Sequence, residues 1–361
     1  MANKLFIPGP TEVRKEVLDE LSHPQIGHRT DEFRELFSSL KPGLKKLFST
    51  ENDVLISTSS GSGFWEASIR SCVDKKVLHA TNGAFSRKWA NLSERCGKSV
   101  GKMDFDWGKP IDPLEVDKAL SEEDYEAFCM VHCETSTGVV SDLSKMSEVM
   151  KKHPDVLWFI DAVSSLAGME VDVDKNGIDI CLASSQKALA LPAGIAVASI
   201  SKRAYEKAET VSGRGYYFDI LELKKMYDKD MTPYTPSIPH LYALRKQLER
   251  IEAEGLANRY ERCRKMAQYV RDWAKKNGFP MFSSVGSQSD TISCMVNNKD
   301  VDFAEIKKDM ATKGYSIDSG YGKLNKELQE KGKNPTFRIA HMGDLTLDEI
   351  KEMTNELEKY F

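Results

Sequence analysis

Val156-Leu157-Trp158-Phe159-Ile160-Asp161-Ala162-Val163-Ser164-Ser165 is the stretch on which the architecture of this chain turns. Five apolar residues in succession, aromatic and β-branched among them, describe a strand buried on both faces. Strands of that kind belong to parallel sheets covered by helices on either side. Asp161 falls where the strand delivers its C-terminal end, the edge at which ligands gather in such sheets. A buried carboxylate is costly without a cation or N–H donors, so Asp161 demands a partner. Capping the next helix is the simpler way to satisfy it, and the residues leave both readings open at this point.

Around this stretch, five further short runs share its texture: Asp53–Ser57, Lys76–Ala80, Ala127–Val131, Ile178–Leu182 and Ile195–Ser199. Amphipathic segments such as Phe64–Cys72 and Asp142–Lys152 lie between several of them. The alternation predicts an α/β protein with a mostly parallel sheet and helices on both faces. Leu241, Leu244, Leu248, Ile251 and Leu256 carry helical spacing through 240–277, as one long helix or two abutting ones. Beyond Gly278-Phe279-Pro280 the pattern changes: strands near Asp290–Val296 and Thr336–Ile339 alternate with helices over Asp302–Gly314 and Leu347–Tyr360. That reads as a smaller α+β C-terminal domain. The expected organisation is an N-terminal arm over 1–20, a large domain over 21–257 and a small one over 258–361.

Composition narrows the function classes. The 361 residues carry 51 Lys+Arg and 55 Asp+Glu, a formal net charge of −4, without the basic excess of a nucleic-acid protein. No apolar run approaches the roughly 20 residues of a membrane span, and the N-terminus lacks a signal-type apolar core. Seven cysteines, an odd number without a Cys-x-x-Cys pair, describe a reduced cytoplasmic chain with neither disulfide frame nor metal-ligand spacing.

The residues at the ends of the other runs matter as much. After Val54-Leu55-Ile56 comes Ser57-Thr58-Ser59-Ser60-Gly61-Ser62-Gly63, opening a helix. Small residues there let backbone N–H groups approach an anion with help from the helix dipole, although an ordinary glycine-rich turn reads the same way. It is no Walker loop, because Gly-Lys-Ser/Thr is missing. After Ile178–Leu182 comes Ala183-Ser184-Ser185-Gln186-Lys187, a lysine leaving a strand end among small residues and suited to act as a nucleophile. Taken singly, each feature has a bland explanation. Together, an anion cradle, a buried Asp and a strand-end Lys are what pyridoxal 5′-phosphate requires: phosphate holder, partner for the pyridine nitrogen, and amine for the Schiff base. The 26 residues from Asp161 to Lys187 suit a strand, a crossover and a second strand end.

The chain also resembles the class V, fold-type I pyridoxal-phosphate aminotransferases, in particular the alanine–glyoxylate/serine–pyruvate branch. Six motifs in order carry the resemblance across nearly the whole chain: Pro8-Gly9-Pro10-Thr11, Ser60-Gly61-Ser62-Gly63, Glu134-Thr135-Ser136-Thr137-Gly138, Asp161-Ala162-Val163-Ser164-Ser165, Ser184-Ser185-Gln186-Lys187-Ala188 and Phe337-Arg338-Ile339-Ala340. The resemblance implies a seven-stranded sheet and catalysis by Lys187 and Asp161. It implies that Val163 packs under the cofactor ring, Phe85 stacks on it, and Gln186 and Ser136 meet its polar atoms. Ser62, Gly63 and the neighbouring Phe64, where some relatives have His, would form the phosphate end. Thr235 would reach the phosphate of a neighbouring subunit, which implies a homodimer with shared sites, and Thr232 stands where some relatives have Tyr.

Arg338 would grip the substrate carboxylate, since a guanidinium holds a carboxylate bidentately. His28 and Arg29 resemble the phosphate-binding pair of phosphoserine aminotransferases; His28 also reads as a core histidine or a helix-start residue. His341 either joins Arg338 or begins a loop. The expected reaction is transfer of an amino group from alanine or serine to glyoxylate or pyruvate. Phosphoserine transamination is the alternative. A cysteine desulfurase-like lyase of the same fold lacks a nucleophile, because Cys294 lies in an apolar strand and Ser316–Pro335 has no cysteine. A non-catalytic binding subunit would have no use for Lys187 and Asp161.

Overall fold

The computed structural model describes residues 3–361. The six apolar runs all become strands of one seven-stranded sheet. Its members are β1 (Asp53–Ser57), β2 (Lys76–Thr81), β3 (Ser99–Asp104), β4 (Ala127–Val131), β5 (Leu157–Asp161), β6 (Ile180–Ser184) and β7 (Ala196–Ile200). The spatial order is β1-β7-β6-β5-β4-β2-β3. Every pairing is parallel except those of β7, which runs antiparallel to both β1 and β6. The seventh strand, β3, escapes an apolar search because none of its six residues is buried. It sits at the sheet edge against β2 alone, where polar side chains such as Lys102 discourage pairing with another chain.

The chain runs from β2 outward to β3, then resumes on the other side of β2 with β4, β5 and β6. The carboxyl ends of β1, β2, β4, β5 and β6 share one edge, and the reversal between β2 and β4 makes that edge a ligand site by topology. Register brings the polar residues level: Asp161 pairs with Val131 on one side and Leu182 on the other, and Ala196 lies between Ser57 and Ser184.

Helix α1 (Asp31–Phe48) is capped by the Thr30 hydroxyl and buries Phe33, Leu36, Phe37, Leu40, Leu44, Leu47 and Phe48, at helical spacing, in the large core. Helices α2 (Gly61–Cys72) and α3 (Ala84–Arg95) come after β1 and β2 and begin at the ligand edge. The segment 240–277 is two abutting helices, α4 (Ile238–Glu254) and α5 (Leu256–Lys276). Gly255, at φ 79°, makes the break.

A second hydrophobic cluster gathers Trp273 of α5, Phe279, Phe303, Phe337 and Met353 around an antiparallel pair, β8 (Ile292–Val296) and β9 (Thr336–Ala340). Phe6 is fully buried in that cluster, and Lys4–Leu5 pairs in parallel with Tyr315–Ser316. The N-terminal segment therefore packs against the C-terminal region before it returns toward the sheet edge.

Candidate active site

Five strand ends and the loops after them form an open cleft, lined among others by Ser60, Gly61, Ser62, Phe85, Asp161 and Lys187. Gly61 is required by close approach: a Cβ there would stand 2.9 Å from Val163 Cγ2. The start of α2 and the Val163 side chain thus form adjoining walls.

Asp161 closes β5 and is almost entirely buried. Its Oδ1 accepts from the Val163 N–H at 2.8 Å, so it does the local turn-capping job expected of it. Its Oδ2 accepts from Trp65 Nε1 at 2.8 Å. Burial still pushes the carboxyl up to about 7, against the pull of these two donors. Trp65, on the second turn of α2, is a site residue that sequence reasoning missed. In an amphipathic helix a tryptophan reads as core, and this one does stack on Trp89 with centroids 5.8 Å apart. Only the packing of α2 over β5 shows its ring nitrogen aimed at Asp161.

Lys187 lies just past β6. Burial foremost, then the charge of Arg338, lowers its ammonium to about 8. Thr11 Oγ1 donates to the Lys187 carbonyl at 2.8 Å, and the Thr11 N–H donates to the Gln186 carbonyl at 3.0 Å. Lys187 Nζ donates to the Pro8 carbonyl. Gly9, at φ 135°, lies against the Lys187 side chain, and a Cβ there would come within 2.5 Å of Nζ and displace it. The Pro8-Gly9-Pro10-Thr11 motif is therefore a clasp on the lysine loop.

Other expected site residues divide. Ser62, Phe85, Val163 and Gln186 line the cleft, together with Thr135 and Cys133. Ser136 does not: its Oγ donates to Glu134 at 2.6 Å and accepts from the Ala84 N–H at 3.1 Å. Glu134, wholly buried, also accepts from the N–H groups of Phe85 and Ser86, so it pins the start of α3 and with it the Phe85 ring. The Phe64 ring is fully buried in the large core and brings no side chain to the cleft. Gly63 faces Ser59 and Phe218, and its N–H donates to Ser60.

Thr235 lies in a separate groove with Thr58, Tyr217 and Thr232. His28 and Arg29 stand apart from the cleft, and the Arg29 guanidinium donates to the Thr232 and Pro233 carbonyls at 2.7 and 2.8 Å. His341 is a core histidine, paired with Ser293 Oγ at 2.9 Å and the Asp290 carbonyl at 3.0 Å. Arg338 Nη1 donates at 3.0 Å to the carbonyl of Thr135, a cleft residue, and the rest of its fork meets Asp318.

These residues suit a bound pyridoxal phosphate on an observation independent of any resemblance. Ser184 Oγ and Gln186 Oε1, both at the cleft wall, are buried without any hydrogen-bond partner. Buried polar atoms of this kind ordinarily meet a ligand or water.

The family model described as aminotransferase class-V matches residues 5–353, and the chain belongs to that family: it is an aminotransferase. It is 34% identical over 357 residues to a serine–glyoxylate aminotransferase of Methylorubrum extorquens, covering 95% of this chain and 87% of that one. It is 36% identical over 344 residues to an uncharacterized aminotransferase of Methanocaldococcus jannaschii, covering 94% and 87%. The crystal structure of an alanine–glyoxylate aminotransferase from Nostoc superimposes with a TM-score of 0.92 at 25% identity, over 100% of this chain and 95% of that one. Family membership implies pyridoxal phosphate as the cofactor.

Proposed function

We propose that this protein is a pyridoxal-phosphate transaminase that moves an amino group from alanine or serine to glyoxylate or pyruvate. The observation that carries the reading is the convergence on one cleft of Lys187, Asp161, the small-residue start of α2 and the two unpartnered atoms Ser184 Oγ and Gln186 Oε1. The cofactor, when bound, supplies a carbonyl for amine exchange and a ring that draws electrons from the substrate Cα. Asp161, held by Trp65 and Val163, would pair with the protonated ring nitrogen. Lys187 Nζ, whose proton is lost at about pH 8 so that more of it is free amine near neutrality, would serve as the base for the substrate Cα proton. Ser60, Gly61 and Ser62 receive the phosphate at the positive end of α2. Val163 and Phe85 hold the ring, Gln186 meets its polar edge, and Arg338 orients the substrate carboxylate.

The donor and acceptor rest on relatives of this kind and on the small residues around the cleft. The Arg29 guanidinium holds the Thr232 and Pro233 carbonyls, beside the groove at Thr235. Cys294 is wholly buried, which disfavours desulfurase chemistry. We further infer a homodimer in which the groove at Thr235 serves the neighbouring site; Tyr216 beside it is 78% exposed. Seven free cysteines support a cytoplasmic location, and among the described residues no helix is long and apolar enough to cross a membrane. The test is a half-reaction panel of alanine, serine, phosphoserine, aspartate and 2-aminoethylphosphonate, monitored by the absorbance of the bound cofactor. Alanine or serine should give the fastest change; no change with any amino acid sinks the proposal.

A further inference from the structure

Arg338 is the residue on which substrate orientation depends, and its guanidinium is already partly occupied. Nε donates to Asp318 Oδ1 at 2.8 Å and Nη2 donates to Asp318 Oδ2 at 3.1 Å, a bidentate fork, while Nη1 donates to the Thr135 carbonyl at 3.0 Å. A guanidinium has five N–H donors. Three are spent, and the two that remain are one on each terminal nitrogen. Those two terminal N–H groups are the donors left for a second carboxylate.

Asp318 is not a swinging group that an incoming substrate displaces. Its backbone pairs with that of Arg338 in an antiparallel bridge, and its Oδ1 also accepts from the Gly320 N–H at 2.9 Å. The carboxylate is a fixture of the sheet edge beside β9. The Tyr321 ring lies over the guanidinium at 5.8 Å and is tilted against Phe85, a cleft residue, with centroids 6.3 Å apart. Arginine side chains have several rotatable bonds, and a ligand that must order one loses affinity. Here the protein orders it in advance.

We propose that Asp318 is a positioning residue for substrate recognition: it holds the inner edge of Arg338 so that the terminal nitrogens meet the α-carboxylate. This rests on the reading of Arg338 as the carboxylate-binding group. The competing role for Asp318 has the opposite sign, because an acid beside the guanidinium also repels an incoming anion.

The experiment compares Asp318→Ala, Asp318→Asn and Arg338→Gln as holoenzymes, with alanine or serine as donor and glyoxylate as acceptor. In Asp318→Ala the KM for both substrates should rise about tenfold, with kcat within about twofold and the cofactor absorbance unchanged. Asp318→Asn retains an acceptor for Nε and should recover most of the loss. A KM that stays level or falls in Asp318→Ala overturns the proposal in favour of repulsion. A parallel loss of kcat or bound cofactor overturns it in favour of a merely structural role. Arg338→Gln separates the two layers. An unchanged KM there removes the carboxylate reading itself, whereas a raised KM there beside an unchanged one in Asp318→Ala removes only the role of Asp318.

Discussion

Trp65 Nε1 donates to Asp161 Oδ2 at 2.8 Å, so an indole on the first helix after β1 steadies the carboxylate that ends β5. The bond works against burial, which holds the Asp161 proton up to about 7. Trp65→Phe removes it, and the carboxyl titrates higher still. At pH 7 less of Asp161 is then ionised to face the ring nitrogen. The affinity of the cofactor-free protein for pyridoxal phosphate should fall about tenfold at pH 7. The gap should narrow by pH 9, where Asp161 is ionised in both proteins. Titration by absorbance at the two pH values checks this, and equal affinities at pH 7 would refute it.

Lys187 loses its proton near pH 8 rather than at the ordinary lysine value, through burial first and the Arg338 charge second. The neutral amine is the reactive form, so capture of pyridoxal phosphate by the cofactor-free protein should accelerate from pH 7 to 9 and then level off. Replacing Arg338 with Gln removes a charge that lowers this pKa and should move the profile to higher pH. Stopped-flow absorbance measures both curves; a rate independent of pH contradicts the assignment. Lys187→Ala should show no covalent capture at any pH.

Gly9 lies against the lysine side chain, where an added Cβ would come within 2.5 Å of Nζ. Gly9→Ala adds a left-side backbone penalty at φ 135° to that clash. The Lys187 side chain must shift, and turnover should drop on the order of 100-fold. The far-ultraviolet circular dichroism should not change. Turnover within threefold of the parent would show that the clasp is idle.

Glu134 accepts from Phe85 and Ser86 N–H and from both serine hydroxyls, Ser86 and Ser136, while wholly buried. Glu134→Ala leaves those donors without a partner and should cost about 3 kcal/mol in urea unfolding. Glu134→Gln should cost less. A loss below about 1 kcal/mol for Ala would mean that water replaces the carboxylate.

Arg29 holds the Thr232–Pro233 carbonyls and lies apart from the cleft. Arg29→Gln should therefore leave the KM for alanine or serine unchanged, and phosphoserine should be no better a donor in either protein. A selective loss of phosphoserine turnover would restore a substrate role.

Much of the fold was legible because burial writes itself into composition. A strand covered on both faces must be apolar throughout, so β5 and β6 announce themselves, and the polar residue that ends each stands out. The edge strand β3 was silent because one side of it meets solvent, and polar residues there carry no period. The same reasoning explains the site. Asp161 and Lys187 were visible as expensive groups at the ends of apolar runs. Trp65 was not, since its carbon skeleton looks like core and its one N–H has no signature. Phe64 entered the cofactor set because it stands where some relatives have His, and a helix that turns about 100° per residue carries its ring into the core.

Local chemistry therefore specified a covered parallel sheet, a lysine and an aspartate at its carboxyl edge, and an anion-binding helix start. Pairings between residues far apart in the chain were settled by packing. Asp318 on Arg338, Pro8 and Thr11 on the Lys187 loop, and Arg29 on the Thr232 segment lie 20, 179, 176 and 203 positions apart. A hydrogen bond depends on distance and angle in space, and sequence separation constrains neither until the sheet order and helix placement are known.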